Sequence, residues 1–162
     1  MSVTISEVVQ NFNADAWIAT LPLYHQDSII ELKQAGQTYD EIADTWLKAA
    51  AMTTAPFSSG APQPANAPFL KKLKDEVAAF LCGAPKYNSE RQKLLEQGKH
   101  LPTIIISTIS VAISQYVDVA VGVLTPIVAL ILATLSAISM NAWCATMGYE
   151  QKETGESDNK TA

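Results

Sequence analysis

The side chains able to act as nucleophiles, bases or metal ligands are few and scattered in this chain. His25 has Asp27 and Ser28 beside it. A triad needs its base and nucleophile brought into hydrogen-bond reach by the fold, and near neighbours in sequence do not supply that. His25 therefore reads as a surface histidine, and His100 as a flank charge at the edge of an apolar segment. Asp40, Glu41 and Asp44 cluster within about one helical turn. With no nucleophile or metal ligand to partner them, they read as a solvated helix start favoured by the helix dipole. Cys82 and Cys144 are too few for a disulfide scaffold or a four-thiolate metal site. They read as reduced thiols, with Cys82 a buried structural thiol at a helix end. There is no phosphate-binding glycine loop, no HExxH and no CxxC. The reading is non-enzymatic, with no cofactor, no catalytic residue and no metal.

One periodic pattern does carry chemistry. Thr103, Ser107, Ser110, Ser114 and Asp118 recur at steps of three and four, which keeps them within about one-fifth of a helix circumference. Downstream, Ala129, Ala133 and Ala137 recur at steps of four, joined by Ser136. Small residues at that spacing let membrane helices approach closely. The hydroxyl stripe then has two uses. It packs on the alanines within one hairpin, or it lines a water-filled path in an oligomer. Asp118 bears on the second use, because ionisable residues at membrane segments serve function more often than structure.

The elements that must position this pattern follow from charge and punctuation. Residues 1–68 carry two basic and seven acidic side chains, and residues 69–100 carry seven basic and four acidic. Residues 101–149 carry one charge, Asp118. Pro102 suits a first helical position, Gly122 turns the chain, Thr125 reads as an N-cap and Pro126 as another first position. Two helices result, about 102–120 and 126–147, roughly 29 and 33 Å long. Both match a hydrocarbon core of about 30 Å. A core helix of a water-soluble protein keeps a charged outer stripe, and neither of these has one. The remaining chain of about 100 residues reads as too short to cover two helices that are apolar all round. Lys86, Arg91, Lys93, Lys99 and His100 precede the pair, Lys152 follows it, and the turn has no Lys or Arg. The positive-inside rule then puts both termini in the cytosol. Lys99, Trp143 and Tyr149 read as interface anchors.

The N-terminal region, 1–52, reads as short amphipathic helices. It has no basic stretch followed by an apolar run, so it is not read as a signal peptide. Leu21-Pro22 breaks the first helical stretch, because proline disfavours helix at the residue before it. Gly36 ends a helix, and Thr38 with Glu41 forms a capping box for the next. The segment IIELKQAGQTYDEIAD resembles the first part of the helix-turn-helix of resolvase-type DNA-binding domains, on Ile30, Leu32, Gly36, Thr38, Glu41, Ile42 and Ala43. That resemblance implies a recognition helix next. The sequence gives AAAMTTAPFSSGAPQP instead, with no Arg or Lys to meet phosphates or base edges. No nucleic-acid partner is expected from an acidic region of this kind.

Residues 53–68 hold four prolines and no charge, as in a linker or extended loop. Residues 69–100 read as amphipathic charged helices. Leu70, Leu73, Val77, Phe80 and Leu81 share one face, Gly83 and Pro85 form the stop, and Ser89 with Gln92 reads as a further capping box. Residues 150–162 read as a disordered polar tail. The expected fold is all-α, a small cytosolic helical domain followed by a C-terminal two-helix transmembrane hairpin. The expected function is a sensing or interaction domain coupled to a hairpin of the inner (cytoplasmic) membrane, in the manner of a defence or toxin effector. Its expected partners are membrane lipid, further copies of itself and a cytosolic protein. The alternatives are a soluble all-α interaction protein whose apolar hairpin is buried in an oligomer or partner complex, and a helix-turn-helix-like regulator.

Overall fold

A computed structural model describes residues 4–54, 67–97, 100–117 and 119–149. Among these residues the protein is all-helical, with no strand. Short helices α1 (Ile5–Gln10) and α2 (Ala14–Ile18) lead into α3 (Leu23–Gln34) and α4 (Tyr39–Thr54). Then come α5 (Ala67–Cys82), a 3-10 turn at Pro85–Tyr87, and α6 (Asn88–Glu96). The apolar region forms α7 (Pro102–Val117), α8 (Val121–Leu135) and α9 (Met140–Thr146).

Local chemistry accounts for most of the boundaries. Thr38 and Glu41 exchange both bonds of a capping box, at 2.9 and 3.1 Å. Thr4 and Glu7 make a second box at the start of α1. Gly36, Gly83 and Gly148 all take positive φ just past a helix, where a Cβ would be strained. Pro102 opens α7, as its missing N–H allows. The box expected at Ser89 does not form. Helix α6 already begins at Asn88, so Ser89 lies inside it, and no side chain caps its start. The proline-rich stretch is also shorter than its composition implies, because residues 53–54 belong to α4 and 67–68 to α5. Residues 55–66 and 150–162 lie outside the described residues.

The apolar region departs furthest from expectation. The chain turns before Gly122, which lies within α8. Thr125 is no N-cap either. It sits inside α8 and donates its hydroxyl to the Val121 carbonyl at 2.9 Å. The second long helix is broken at 136–139, where Ser136 ends α8 and Ser139 caps α9 by accepting from the Ala142 N–H. Helices α7 and α8 are therefore 16 and 15 residues long, or about 24 and 22 Å at 1.5 Å per residue. Among the described residues no single helix is long and apolar enough to cross a membrane. The α7–α8 pair passes that test only together, bent by 117°.

These two helices form the core. Helix α8 packs against α2, α4 and α7, and α7 packs further against α5 and α6. From Leu124 to Leu135 the buried side chains are Leu124, Ile127, Val128, Ala129, Leu130, Ile131, Leu132, Ala133 and Leu135. Trp17 from α2 and Ile42, Ala43 and Leu47 from α4 join the same core cluster. Leu73, Val77 and Phe80 supply the buried face of α5. The premise that this chain is too short to enclose an apolar pair is thus corrected. Short helices suffice because α8 spans only four turns and each neighbour presents one apolar stripe to it.

Candidate functional site

The hydroxyl stripe of α7 does not stay on one side of the core boundary. Thr103 and Ser107 are exposed, Ser114 is half-buried and Ser110 is fully buried. Ser114 donates to the Val111 carbonyl at 2.9 Å. The Ser110 hydroxyl has no hydrogen-bond partner among the described residues. Asp118 lies outside the described residues, as does Lys99. On the second strip Ala129 and Ala133 are buried, while Ser136 and Ala137 are exposed. Ala133 and Ala137 line a cavity of about 400 Å³ with Lys33, Thr38, Tyr39 and Asp40. The alanines thus face the α3–α4 connection, and the outer hydroxyls of α7 face solvent. Trp143 is buried at 7% exposure and Tyr149 is half-buried.

What α7, α8 and α9 do show to solvent is devoid of charge. Leu101, Val111, Tyr116, Val121 and Ile138 are exposed large apolar side chains. Among the described residues, the other exposed positions from 101 to 149 are hydroxyl, amide, Ala, Gly or other uncharged residues. In α4 the acidic side chains have partners. Asp40 meets Lys74 at 2.7 Å, and Asp44 meets Lys48 at 3.3 Å. With Glu41 in its capping box, the acidic group of α4 serves structure throughout.

A polar corner stands behind the apolar pair, where α5 ends and α6 begins. Arg91 is buried at 8% exposure, and no carboxylate among the described residues pairs with its guanidinium. It donates from Nη1 to the carbonyls of Ala79 at 3.3 Å and Phe80 at 2.8 Å. From Nη2 it donates to the Ala84 carbonyl and to Asn88 Oδ1, both at 2.8 Å. A cation thus closes the last turn of α5, where orphan carbonyls and the helix dipole favour it. Burial lowers its pKa from the ordinary value. The residue that reads as a membrane-flanking charge is a helix cap.

Beside it, the buried Tyr87 donates its hydroxyl to Glu76 Oε1 at 2.6 Å. Burial, then the Glu76 carboxylate, pushes the Tyr87 phenol far above its ordinary value, so it remains a donor. Lys86 pairs with Glu76 at 2.9 Å and sits 4.1 Å over the ring of Tyr116. The same corner holds a covalent bond. Cys82 at the end of α5 and Cys144 in α9 form a disulfide, with Cα atoms 5.7 Å apart. The reading of two reduced thiols is thereby corrected. The pairing spans 62 residues, and only the packing of α9 on α5 brings the two sulfurs together.

A second cavity, also about 400 Å³, opens between α3, α4 and the start of α8. Tyr24, His25 and Trp46 form its aromatic side, and Val123, Pro126 and Ile127 its apolar floor. The His25 ring lies 4.3 Å from Tyr24 and 4.8 Å from Trp46. Its Nδ1 is buried with no partner among the described residues, and burial lowers its pKa. No hydrogen bond joins His25 to Asp27 or Ser28 among the described residues. Sequence reasoning missed this cavity because His25 and Trp46 lie on different helices, and no local pattern links them.

Among the described residues no group of three or more His, Cys, Asp and Glu side chains is placed to hold a metal ion. No protein-family model, no curated protein and no solved structure matches the chain.

Proposed function

We propose that this chain is a non-enzymatic, membrane-acting helical protein that keeps an apolar helix pair folded into its own core and transfers it to a lipid bilayer. The observation that supports this most is the uncharged exterior of α7, α8 and α9. A core helix of a protein that stays in water marks its outer stripe with charge. Here the outward positions are Val111, Tyr116, Val121 and Ile138, with hydroxyls between them. Such a surface costs little to move into lipid, whereas each Lys or Asp at a helix centre costs about 2.5–3.5 kcal/mol on insertion scales.

In the inserted form the break at 136–139 closes, and α8 and α9 become one helix. Val121 to Thr146 would then span about 39 Å, enough to cross with tilt. Thr103, Ser107 and Asp118 would face further copies of the chain, where a line of hydroxyls holds water. Both termini stay in the cytosol, because Lys86, Lys93 and Lys99 precede the pair and Lys152 follows it. The N-terminal helices bind the cytosolic partner that triggers transfer.

The test is extraction of membranes from cells expressing the chain. A pool that resists carbonate and dissolves in detergent is expected. A thiol reagent that cannot cross the membrane should label a cysteine placed at Gly122 in intact cells, and not one placed at Ser157. Recovery of the whole chain without detergent overturns the reading.

The second reading is a helical interaction protein that keeps its bundle closed and docks through the same uncharged face. The burial of nine of the twelve residues of α8 from Leu124 to Leu135 favours it. It leaves no lipid-bound pool and gives a stable complex with a second protein.

A further inference from the structure

We infer that the Cys82–Cys144 disulfide is a redox latch on the stored apolar pair, an inference that rests on the membrane-acting reading and names its regulation. The bond joins the last residue of α5 to α9, the helix that follows α8. The closed covalent loop therefore contains α6, α7 and α8 entire. Helix α5 supplies one wall over α7, through Leu73, Val77 and Phe80. While the bond stands, the two Cα atoms cannot separate beyond about 7 Å. The C-terminal end of α5 then cannot lift from α9, and the wall over α7 stays in place. Arg91 strengthens the same point from the other side by holding the carbonyls of Ala79 and Phe80. Once the bond is cut, α5 is held there by noncovalent contacts only, which the bilayer can replace for the apolar residues.

The two sulfurs differ in access. Cys144 is fully buried, and Cys82 is half-buried at the mouth of the corner. The reductant is a dithiol. Its thiolate attacks Sγ of Cys82, a mixed disulfide forms there, and Cys144 leaves as a thiolate and takes up a proton. The second thiol of the reductant then attacks the mixed disulfide. Cys82 leaves as its thiolate and is protonated, and the reductant departs as its own disulfide. Two electrons and two protons pass to the protein, and one sulfur–sulfur bond replaces another.

The experiment uses the full chain, purified without reductant, and vesicles of phosphatidylethanolamine and phosphatidylglycerol. Flotation measures the lipid-bound fraction before and after treatment with a dithiol, alongside the variant Cys82→Ala with Cys144→Ala. Circular dichroism checks that each form is helical. The oxidised chain should remain with the protein fraction. Reduction should raise the bound fraction about tenfold or more, and the double variant should float with or without the dithiol. Free thiols in the oxidised preparation overturn the latch. Equal flotation of oxidised, reduced and variant chains overturns the latch while leaving the membrane reading intact. Absence of flotation in all three overturns both. If the double variant does not fold, the reduced unmutated chain decides alone.

Discussion

Helix α8 and the corner around Arg91 are both interior, and they are built on opposite principles. Around α8 the contacts are mainly apolar and non-directional, with nine buried apolar side chains. Around Arg91 the contacts are directional. Arg91 makes four hydrogen bonds, two of them to carbonyls in the last turn of α5, Tyr87 is fixed on Glu76, and a disulfide crosses to α9. Apolar surface has no reason to prefer a protein interior to lipid tails, because both exclude water equally well. A buried guanidinium with four fixed acceptors has no equivalent partner in lipid. On the proposed membrane-acting reading, the difference separates the part of this molecule that changes surroundings from the part that stays behind.

Substitutions can break or sharpen that contrast. The largest effect is expected from Ala129→Asp, which places an unpaired carboxylate at a fully buried position of α8. The cost is about 4 kcal/mol or more, and loss of cooperative unfolding by circular dichroism is the expected result. A folded variant of unchanged stability would mean that α8 is not a core helix. Next comes Leu132→Ala, which leaves a cavity at a fully buried site. A loss of about 3 kcal/mol in urea unfolding is expected, with no change in thiol count.

Arg91→Met tests the corner and keeps the length and apolar stem of the side chain. It strands the carbonyls of Phe80 and Ala84, for a loss of about 2–3 kcal/mol. Hydrogen exchange should quicken in the last turn of α5 and stay slow in α8. Tyr87→Phe removes one bond to a carboxylate that keeps Lys86 as a partner, for a loss of about 1 kcal/mol.

The smallest effect belongs to pH. Burial lowers the pKa of His25 below the 6.5 it has in the unfolded chain. The folded state thus binds fewer protons, and stability falls as pH drops through 6.5 towards the lowered value. His25→Phe should flatten the unfolding midpoint across that window. An unchanged slope would mean that the ring is solvated.

Much of the helix punctuation was legible from local chemistry alone. Gly36, Thr38 with Glu41, and Pro102 each mark a boundary because the reason is a backbone bond within four residues. The capping box at Thr4 and Glu7 carried the same signal, unread. What sequence reasoning missed depends on contacts between distant residues. Arg91 acquires its role only when α6 lies across the end of α5, and the disulfide only when α9 does. The break at 136–139 was within reach, since Ser139 is an N-cap residue type. An unbroken apolar run masks such a signal, because hydropathy reports length and not continuity. The same masking turned a four-turn core helix into an apparent span of about 22 residues. Of the chosen stripe, the spacing held but its surroundings did not. A period of three to four places Thr103, Ser107, Ser110 and Ser114 near one line, and the neighbours decide that Ser110 alone is sealed off.

The backbone N–H of Met140 donates to the side-chain carbonyl of Gln10, a contact spanning 130 residues. The same reach governs α2 and α4, whose packing partner α8 is made long after them. A ribosome adding about 5–20 residues each second exposes the early helices for several seconds before that partner leaves the tunnel. Throughout this interval Trp17, Ile42 and Leu47 lack the cover that α8 gives them. The core can therefore close around α8 only after most of the chain has been made.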